Sequence, residues 1–443
     1  MPFKPRYPFR QEVFGGIAYD PLSEDFFHLN DTAYGVLEFL DAQNISQESL
    51  PTLPQPLVSG IFDLQASGLV EQSTNHLPRH TGRLTHSQVG LLAAPTTVEL
   101  YPTFLCNERC SFCYVGYEVE SARPTDTWGQ ERLPALAREL SKAGVFNVII
   151  LGGEPFLYRH LGALLEALAA ERLDVALSTN GTLYQEDLLE TIARCNIKLN
   201  IALHSCIASV HNSITRSNTF QKVSSFARKA AHAGLNLHIT IVLHPENLGS
   251  IEDTVEYVAQ LGAKAVTISY PQPARYAVAH GAVVSFQRYR ECFRAAVTRG
   301  SAHGLRVHGN CHYNFLVDEY SSGFDPSNPL ADLLYGDKAG RSRVEVSSNG
   351  DIYPSSSLFG QLDWKVGNIF SDDLLTVWEH SEALNRIRGR ILPPECSGCL
   401  HRIPCGGGII GDLIAKNRWN LPPEDCPILK IPERSLESGN AAE

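Results

Sequence analysis

The stretch VELYPTFLCNERCSFCYVG, residues 98–116, decides how the chain is read. It begins as an extended apolar run and breaks at Pro102 into a loop holding Cys106, Cys110 and Cys113, a CX3CX2C array. In a reducing compartment, cysteines clustered this closely bind metal or react rather than pair as disulfides. Three thiolates can hold three irons of a 4Fe-4S cube and leave the fourth iron open to a small ligand. Four-cysteine zinc sites use two CX2C pairs, so zinc here would need a distant fourth ligand.

Outward from this loop, FNVIILGG (146–153), DVALSTNG (174–181), IKLNIALH (197–204), NLHITIVL (236–243) and AVTISY (265–270) are further candidate strands, and helix-like stretches separate most of them. This alternation predicts an α/β fold with a parallel sheet or partial barrel over residues 96–310. Chemistry in such folds sits at the carboxyl ends of the strands, where the cysteine loop lies.

Residues 1–75 read as a small α+β or winged-helix-like module. A glycine-containing hairpin lies near Gly15–Tyr19, a helix over Asn30–Leu40 and a second helix over Leu57–Ser67, ending at Gly68. Residues 76–95 are polar and aperiodic, which predicts a linker. Beyond residue 310 periodicity fades, and Cys396, Cys399, Cys405 and Cys426 mark residues 311–435 as a loop-rich domain held by metal. Residues 436–443 read as a disordered tail.

A length of 443 residues predicts two or three domains. With 37 basic against 48 acidic residues and a net charge of −11, a broad nucleic-acid surface is not expected. The N-terminus lacks an apolar signal core and no run suits a membrane span, so a soluble cytoplasmic protein with no membrane partner is expected.

The CX3CX2C loop resembles that of the radical S-adenosylmethionine (SAM) superfamily. So do the GGEP of Gly152, Gly153, Glu154 and Pro155 at the second strand end, and Ser178, Thr179 and Asn180 at the third. The resemblance implies a partial (β/α)6 TIM-like barrel and a SAM-binding 4Fe-4S cluster on Cys106, Cys110 and Cys113. It places the methionine amino group at GGEP, with Glu154 pairing the ammonium, and the ribose at Ser178 and Asn180. It also places the carboxylate at Arg216 and the adenine beside Phe112 and Tyr114. Taken alone, GGEP is a common strand-to-helix turn, Ser178–Asn180 can cap a helix, and Arg216 can be a solvated charge. The implied chemistry is reductive cleavage of SAM to a 5′-deoxyadenosyl radical that abstracts a substrate hydrogen.

The C-terminal string ECSGCLHRIPCGGG followed by Cys426 resembles the SPASM auxiliary-cluster domain of peptide-modifying members. Three of that domain's cysteine positions are absent here: Ser355 and Ile409 stand at two of them, and KAGRSR before Val344 lacks the third. By carry-over all three serve the inner cluster, so one auxiliary 4Fe-4S cluster, on Cys396, Cys399, Cys405 and Cys426, is implied. A closed four-thiolate zinc site is the alternative. Of the remaining Cys195, Cys206, Cys292 and Cys311, Cys206 follows a barrel strand and is the candidate hydrogen-atom donor to a substrate radical.

Residues 12–72 resemble the PqqD-like element that holds leader peptides, with β-augmentation as the binding mode. A winged-helix DNA-binding module lacks its basic helix here, and a structural cap is the plain alternative. The resemblance implies a maturase of ribosomally made precursor peptides served by a reductant such as flavodoxin or ferredoxin. Crosslinking, epimerisation and backbone excision all stay open. A radical enzyme acting on a folded protein or small molecule, as sulfatase-maturing relatives do, and a non-catalytic cluster scaffold are the competing classes.

Overall fold

A computed structural model of the chain describes residues 1–74, 91–123, 128–272, 274–317 and 336–429. The expected tail at 436–443 and most of the expected linker lie outside the described residues.

The N-terminal module pairs β1 (Phe3–Pro5) with β5 (Val70–Gln72) and stacks β2 (Phe9–Glu12), β3 (Gly15–Tyr19) and β4 (Phe26–Leu29) as an antiparallel meander. Between β4 and β5 lie helices Asp31–Ala42 and Gln55–Ala66. The first starts where Asn30 accepts from the Ala33 amide at 2.8 Å, an N-cap that satisfies an otherwise unpaired donor. Phe3, Phe9, Leu29, Leu37, Leu40 and Ile61 bury together as the module's own small core.

Among the described residues the main sheet has ten strands in the order β12-β11-β10-β9-β8-β7-β6-β13-β14-β15. Its six predicted parallel strands are β6 (Thr97–Leu100), β7 (Asn147–Ile150), β8 (Asp174–Thr179), β9 (Lys198–Ala202), β10 (Leu237–Val242) and β11 (Ala265–Ser269). Two additions extend it at its edges. At one edge β12 (Arg306–Asn310) pairs parallel to β11. At the other, β13 (Arg343–Val346) pairs parallel to β6 and continues antiparallel through β14 (Asp351–Tyr353) and β15 (Gly367–Asn368).

Helices cover the outer face. In Phe220–His232 the buried residues Phe220, Val223, Ala227 and Ala230 recur at helical spacing, which lays one stripe against the sheet. Along β8, Val175, Leu177 and Thr179 are buried, while Asp174, Ala176 and Ser178 between them are only half-buried. The inner face therefore lines a space instead of a packed core.

The module is fastened to the amino-terminal ends of the strands, the end opposite the cysteine loop. Arg10 is fully buried, paired with Glu12 at 2.6 Å, and donates to the carbonyls of Ala94, Pro95 and Gly144. The Ala93 amide in turn donates to Glu12 at 2.7 Å. Residues 92–95 are thus buried packing where a linker was expected. Tyr19 donates to Asp174, the first residue of β8, at 2.8 Å, and Lys198, the first of β9, holds Asp174 and Glu24 at 2.8 and 3.0 Å.

Candidate functional site

The cysteine loop leaves β6 at Leu100 and is pinned from two sides. From β7, the amides of Gly153 and Glu154 donate to the carbonyls of Thr103 and Leu105 at 2.9 and 2.7 Å. Beyond β9, the carbonyls of Ile214 and Thr215 accept from the Ser111 and Arg109 amides. Both glycines are sterically required. A Cβ on Gly152 would sit 2.3 Å from the Thr103 oxygen, and one on Gly153 would sit 2.3 and 2.4 Å from the Leu105 and Phe104 oxygens. The close approach that glycine permits here is to the cysteine loop itself, where the sequence suggested a bound cofactor.

Glu154 follows the two glycines. It is fully buried, and its carboxylate accepts from the Phe156 amide, the Thr179 hydroxyl and the Asn180 amide at 3.0, 2.6 and 2.7 Å. Through those three donors Glu154 ties the end of β7 to the end of β8, two of them on Oε1 and one on Oε2, which keeps a further acceptor site. Desolvation pushes it up to about 7, against the pull of the same hydrogen bonds. Pro155 opens the short turn that Glu154 caps.

Asn180 reaches back from β8: its Nδ2 lies 2.9 Å from the Asn107 oxygen and 3.9 Å from the Cys106 sulfur. Its Oδ1 accepts from the Thr182 amide and hydroxyl. Ser178 accepts from Asn200 at 3.2 Å, and Asn200 accepts from Thr240 at 2.9 Å, a polar ladder across β8, β9 and β10. Phe112 and Tyr114 flank Cys113 but diverge. Phe112 meets the His204 ring edge-on at 4.7 Å past β9, whereas the Tyr114 hydroxyl bonds Tyr101 at 3.1 Å on the β13 side. Arg216 ends helix Ala208–Thr215 in the left-handed region at φ 51, with its side chain exposed. The Cys206 amide is tied to Thr254 in the outer helix Ile251–Gln260, which anchors that residue to the helical layer rather than to the cysteine loop.

Several residues at the loop escaped the sequence reading. Glu108 is buried between Thr219, which donates to it at 2.7 Å, and the Cys110 sulfur at 3.6 Å. His204 and His211 stack at 5.7 Å beneath Phe112, and burial lowers both, His211 to about 4. Their Nδ1 atoms accept from backbone amides, His211 from His204 seven residues away and His204 from Val242 thirty-eight residues away, a signal no local pattern carries.

The donor set fits an iron-sulfur cluster. Burial pushes the Cys106 thiol up to about 11 and the Cys113 thiol to about 12, and raises Cys110 well above its ordinary value. Thiols so raised stay protonated and inert unless a cation compensates the thiolate charge, which bound metal does. Among the described residues, no three His, Cys, Asp or Glu side chains close tightly enough to hold a single ion.

A model of the radical SAM superfamily matches residues 100–258, spanning the loop and the strands that pin it. Residues 100–258 form a radical SAM domain. A model of the SPASM iron-sulfur cluster-binding domain matches residues 338–400 of this radical SAM enzyme. Among curated proteins it is 26% identical to the antilisterial bacteriocin subtilosin biosynthesis protein AlbA of Bacillus subtilis, over 56% of this chain and 57% of that one. It is 25% identical to the mycofactocin maturase MftC of Mycolicibacterium smegmatis, over 75% of this chain and 81% of that one. The solved structure of Streptococcus suis SuiB bound to its precursor peptide SuiA shares the fold, with a TM-score of 0.80 at 19% identity over 96% of this chain and 100% of that one.

In the SPASM region of the radical SAM enzyme, Cys396, Cys399, Cys405 and Cys426 line one cavity together with Tyr313 and Phe315. The His401 and Leu429 amides donate to the Cys399 and Cys426 sulfurs at 3.4 and 3.5 Å, contacts that suit thiolates. The inner region is built differently. Helix Ile410–Ala415 packs straight onto Ser355, whose hydroxyl lies 2.3 Å from where a Cβ on Gly411 would be. Asp412 beside it accepts from Ser357 and Gln272 at 3.0 and 3.1 Å. Among the described residues, no helix is long and apolar enough to cross a membrane.

Proposed function

We propose that this radical SAM enzyme matures a ribosomally made precursor peptide in the cytoplasm. Cys106, Cys110 and Cys113 hold the SAM-cleaving cluster, and Cys396, Cys399, Cys405 and Cys426 hold one auxiliary 4Fe-4S cluster. The bound cluster and SAM supply the 5′-deoxyadenosyl radical. The chain's own residues hold the loop, orient the ligands and exclude water.

The observation that carries this reading is the coupling of such a site to a separate N-terminal module over nearly the whole length shared with SuiB, whose structure was solved with a precursor peptide. The names of AlbA and MftC point the same way. The module's meander leaves the outer edges of β2 and β4 unpaired among the described residues, which suits β-augmentation by a leader peptide. Ser178, Asn180 and Arg216 remain the polar groups nearest the expected SAM position, in addition to the backbone of Gly152–Pro155. The electron enters from a small carrier such as flavodoxin or ferredoxin.

The test is anaerobic co-expression with short precursor genes adjacent to this one, followed by mass spectrometry of the peptide. A SAM-dependent mass change on one of them is expected. Steady 5′-deoxyadenosine formation that no peptide stimulates or couples to would overturn the reading.

A further inference from the structure

We propose that His312 donates a hydrogen bond to the Cys405 thiolate and thereby raises the reduction potential of the auxiliary cluster. This rests on the assignment of Cys396, Cys399, Cys405 and Cys426 as that cluster's ligands.

The segment after β12 is built as one wall of the four-cysteine cavity. His312 Nε2 lies 3.6 Å from Cys405 Sγ. Tyr313 is buried, lines the cavity, and donates its hydroxyl to Asp425, the neighbour of Cys426, at 2.9 Å. Phe315 also lines the cavity and packs on the His401 ring at 5.5 Å, two residues past Cys399. Three successive contacts thus clamp the end of the last barrel strand onto the loops carrying Cys399, Cys405 and Cys426.

The direction of the bond follows from chemistry. A ligand thiolate carries no proton and only accepts, so the proton between Nε2 and Sγ belongs to the imidazole. An N–H directed at a cluster sulfur draws electron density from it and favours the reduced, more negative state, so the potential rises. The other donors to these sulfurs, His401 at Cys399, Leu429 at Cys426, and Gly407 and Gly408 at Cys405 itself, are backbone amides that no side-chain substitution removes. Among the described residues His312 is the side-chain donor, so it is the group through which this chain tunes the cluster. Because it hangs from β12, any shift of that strand end on substrate binding reaches the cluster through this bond.

The experiment uses the full chain with Cys106, Cys110 and Cys113 all replaced by alanine, reconstituted anaerobically so that only the auxiliary site is filled. Iron and sulfide analysis first tests the ligand assignment. Four irons per chain are expected, and zinc in their place would overturn the assignment and the proposal together. Reductive titration followed by electron paramagnetic resonance then reads the midpoint. His312→Leu should move it to a more negative value with iron content unchanged, and His312→Gln, which keeps an N–H donor, should move it less. Pulsed resonance on protein carrying 15N-histidine should show a weak nitrogen coupling that His312→Leu abolishes. An unchanged midpoint in His312→Leu at full iron content overturns the proposal. So does an equal shift in both variants, or loss of the cluster in both, which would make His312 a structural prop.

Discussion

The two cysteine regions solve the same problem of holding thiolates in opposite ways. The first places three within eight consecutive residues on a loop whose backbone is bonded to strand ends on both sides. The second collects four from separate loops around a cavity, with short helical turns and an aromatic wall as support. A pre-braced loop needs fewer ligands and so leaves a corner of a cube open to chemistry, whereas a region without strand support uses the metal as its own staple. The contrast teaches that openness at the first region depends on rigid protein beneath it.

The largest test of that contrast removes the ligands. Replacing Cys106, Cys110 and Cys113 by alanine should abolish 5′-deoxyadenosine formation and halve the iron, from about eight to about four per chain, with protease resistance intact. Cys405→Ala should instead leave the first cluster in place but make residues 390–429 sensitive to limited proteolysis. Equal proteolytic sensitivity in both variants would erase the distinction.

A second test addresses the imidazoles beneath the first loop. His211 is held near 4 by burial, below the roughly 6.5 of an unfolded histidine. The unfolded chain therefore binds a proton that the folded chain refuses between those values. The stability from this group is complete above pH 6.5 and is lost as pH falls toward 4, by about 3 kcal/mol in all. Denaturant midpoints measured across that window should flatten in His211→Gln, and parallel curves for the two proteins would refute the account.

Smaller effects sharpen the bracing argument. Gly153→Ala forces a methyl against two carbonyl oxygens of the loop and should cost about 2 kcal/mol together with iron from the first cluster alone. Gly360→Ala, where an added Cβ meets nothing within 4 Å, should cost about 1 kcal/mol for its positive φ and leave both clusters filled. Asn180→Ala, which frees Asn107 and Thr182, should cost about 1 kcal/mol by thermal denaturation.

The barrel was legible because its six strands are β-branched runs ending in small or polar residues. β12 escaped because RVHGN has one apolar side chain, and its identity as a strand comes from its neighbour β11. β13 escaped because its partner β6 lies some 240 residues earlier in the chain. At the site, the cysteines and the GGEP turn were readable from spacing, but the duties of individual groups were not. Glu154 was readable as a candidate ligand for an ammonium, but the three donors of its own chain that it also holds were not. Arg10 and Glu12 lie in FRQE, which reads as an ordinary surface alternation, yet both are buried because their partners arrive from residues 93–95 and 144.

The docking of Tyr19 and Glu24 against Asp174 and Lys198 has a consequence for any peptide held by the N-terminal module. The module sits at the foot of the sheet and the cysteine loop at its head, so a peptide held there would have to span the height of the sheet between them. A six-residue strand such as β8 stands about 20 Å tall, so no residue within about six positions of the anchored stretch reaches the radical. For a leader held as proposed, the floor contact would work as a ruler, setting a minimum distance along the peptide before modification begins.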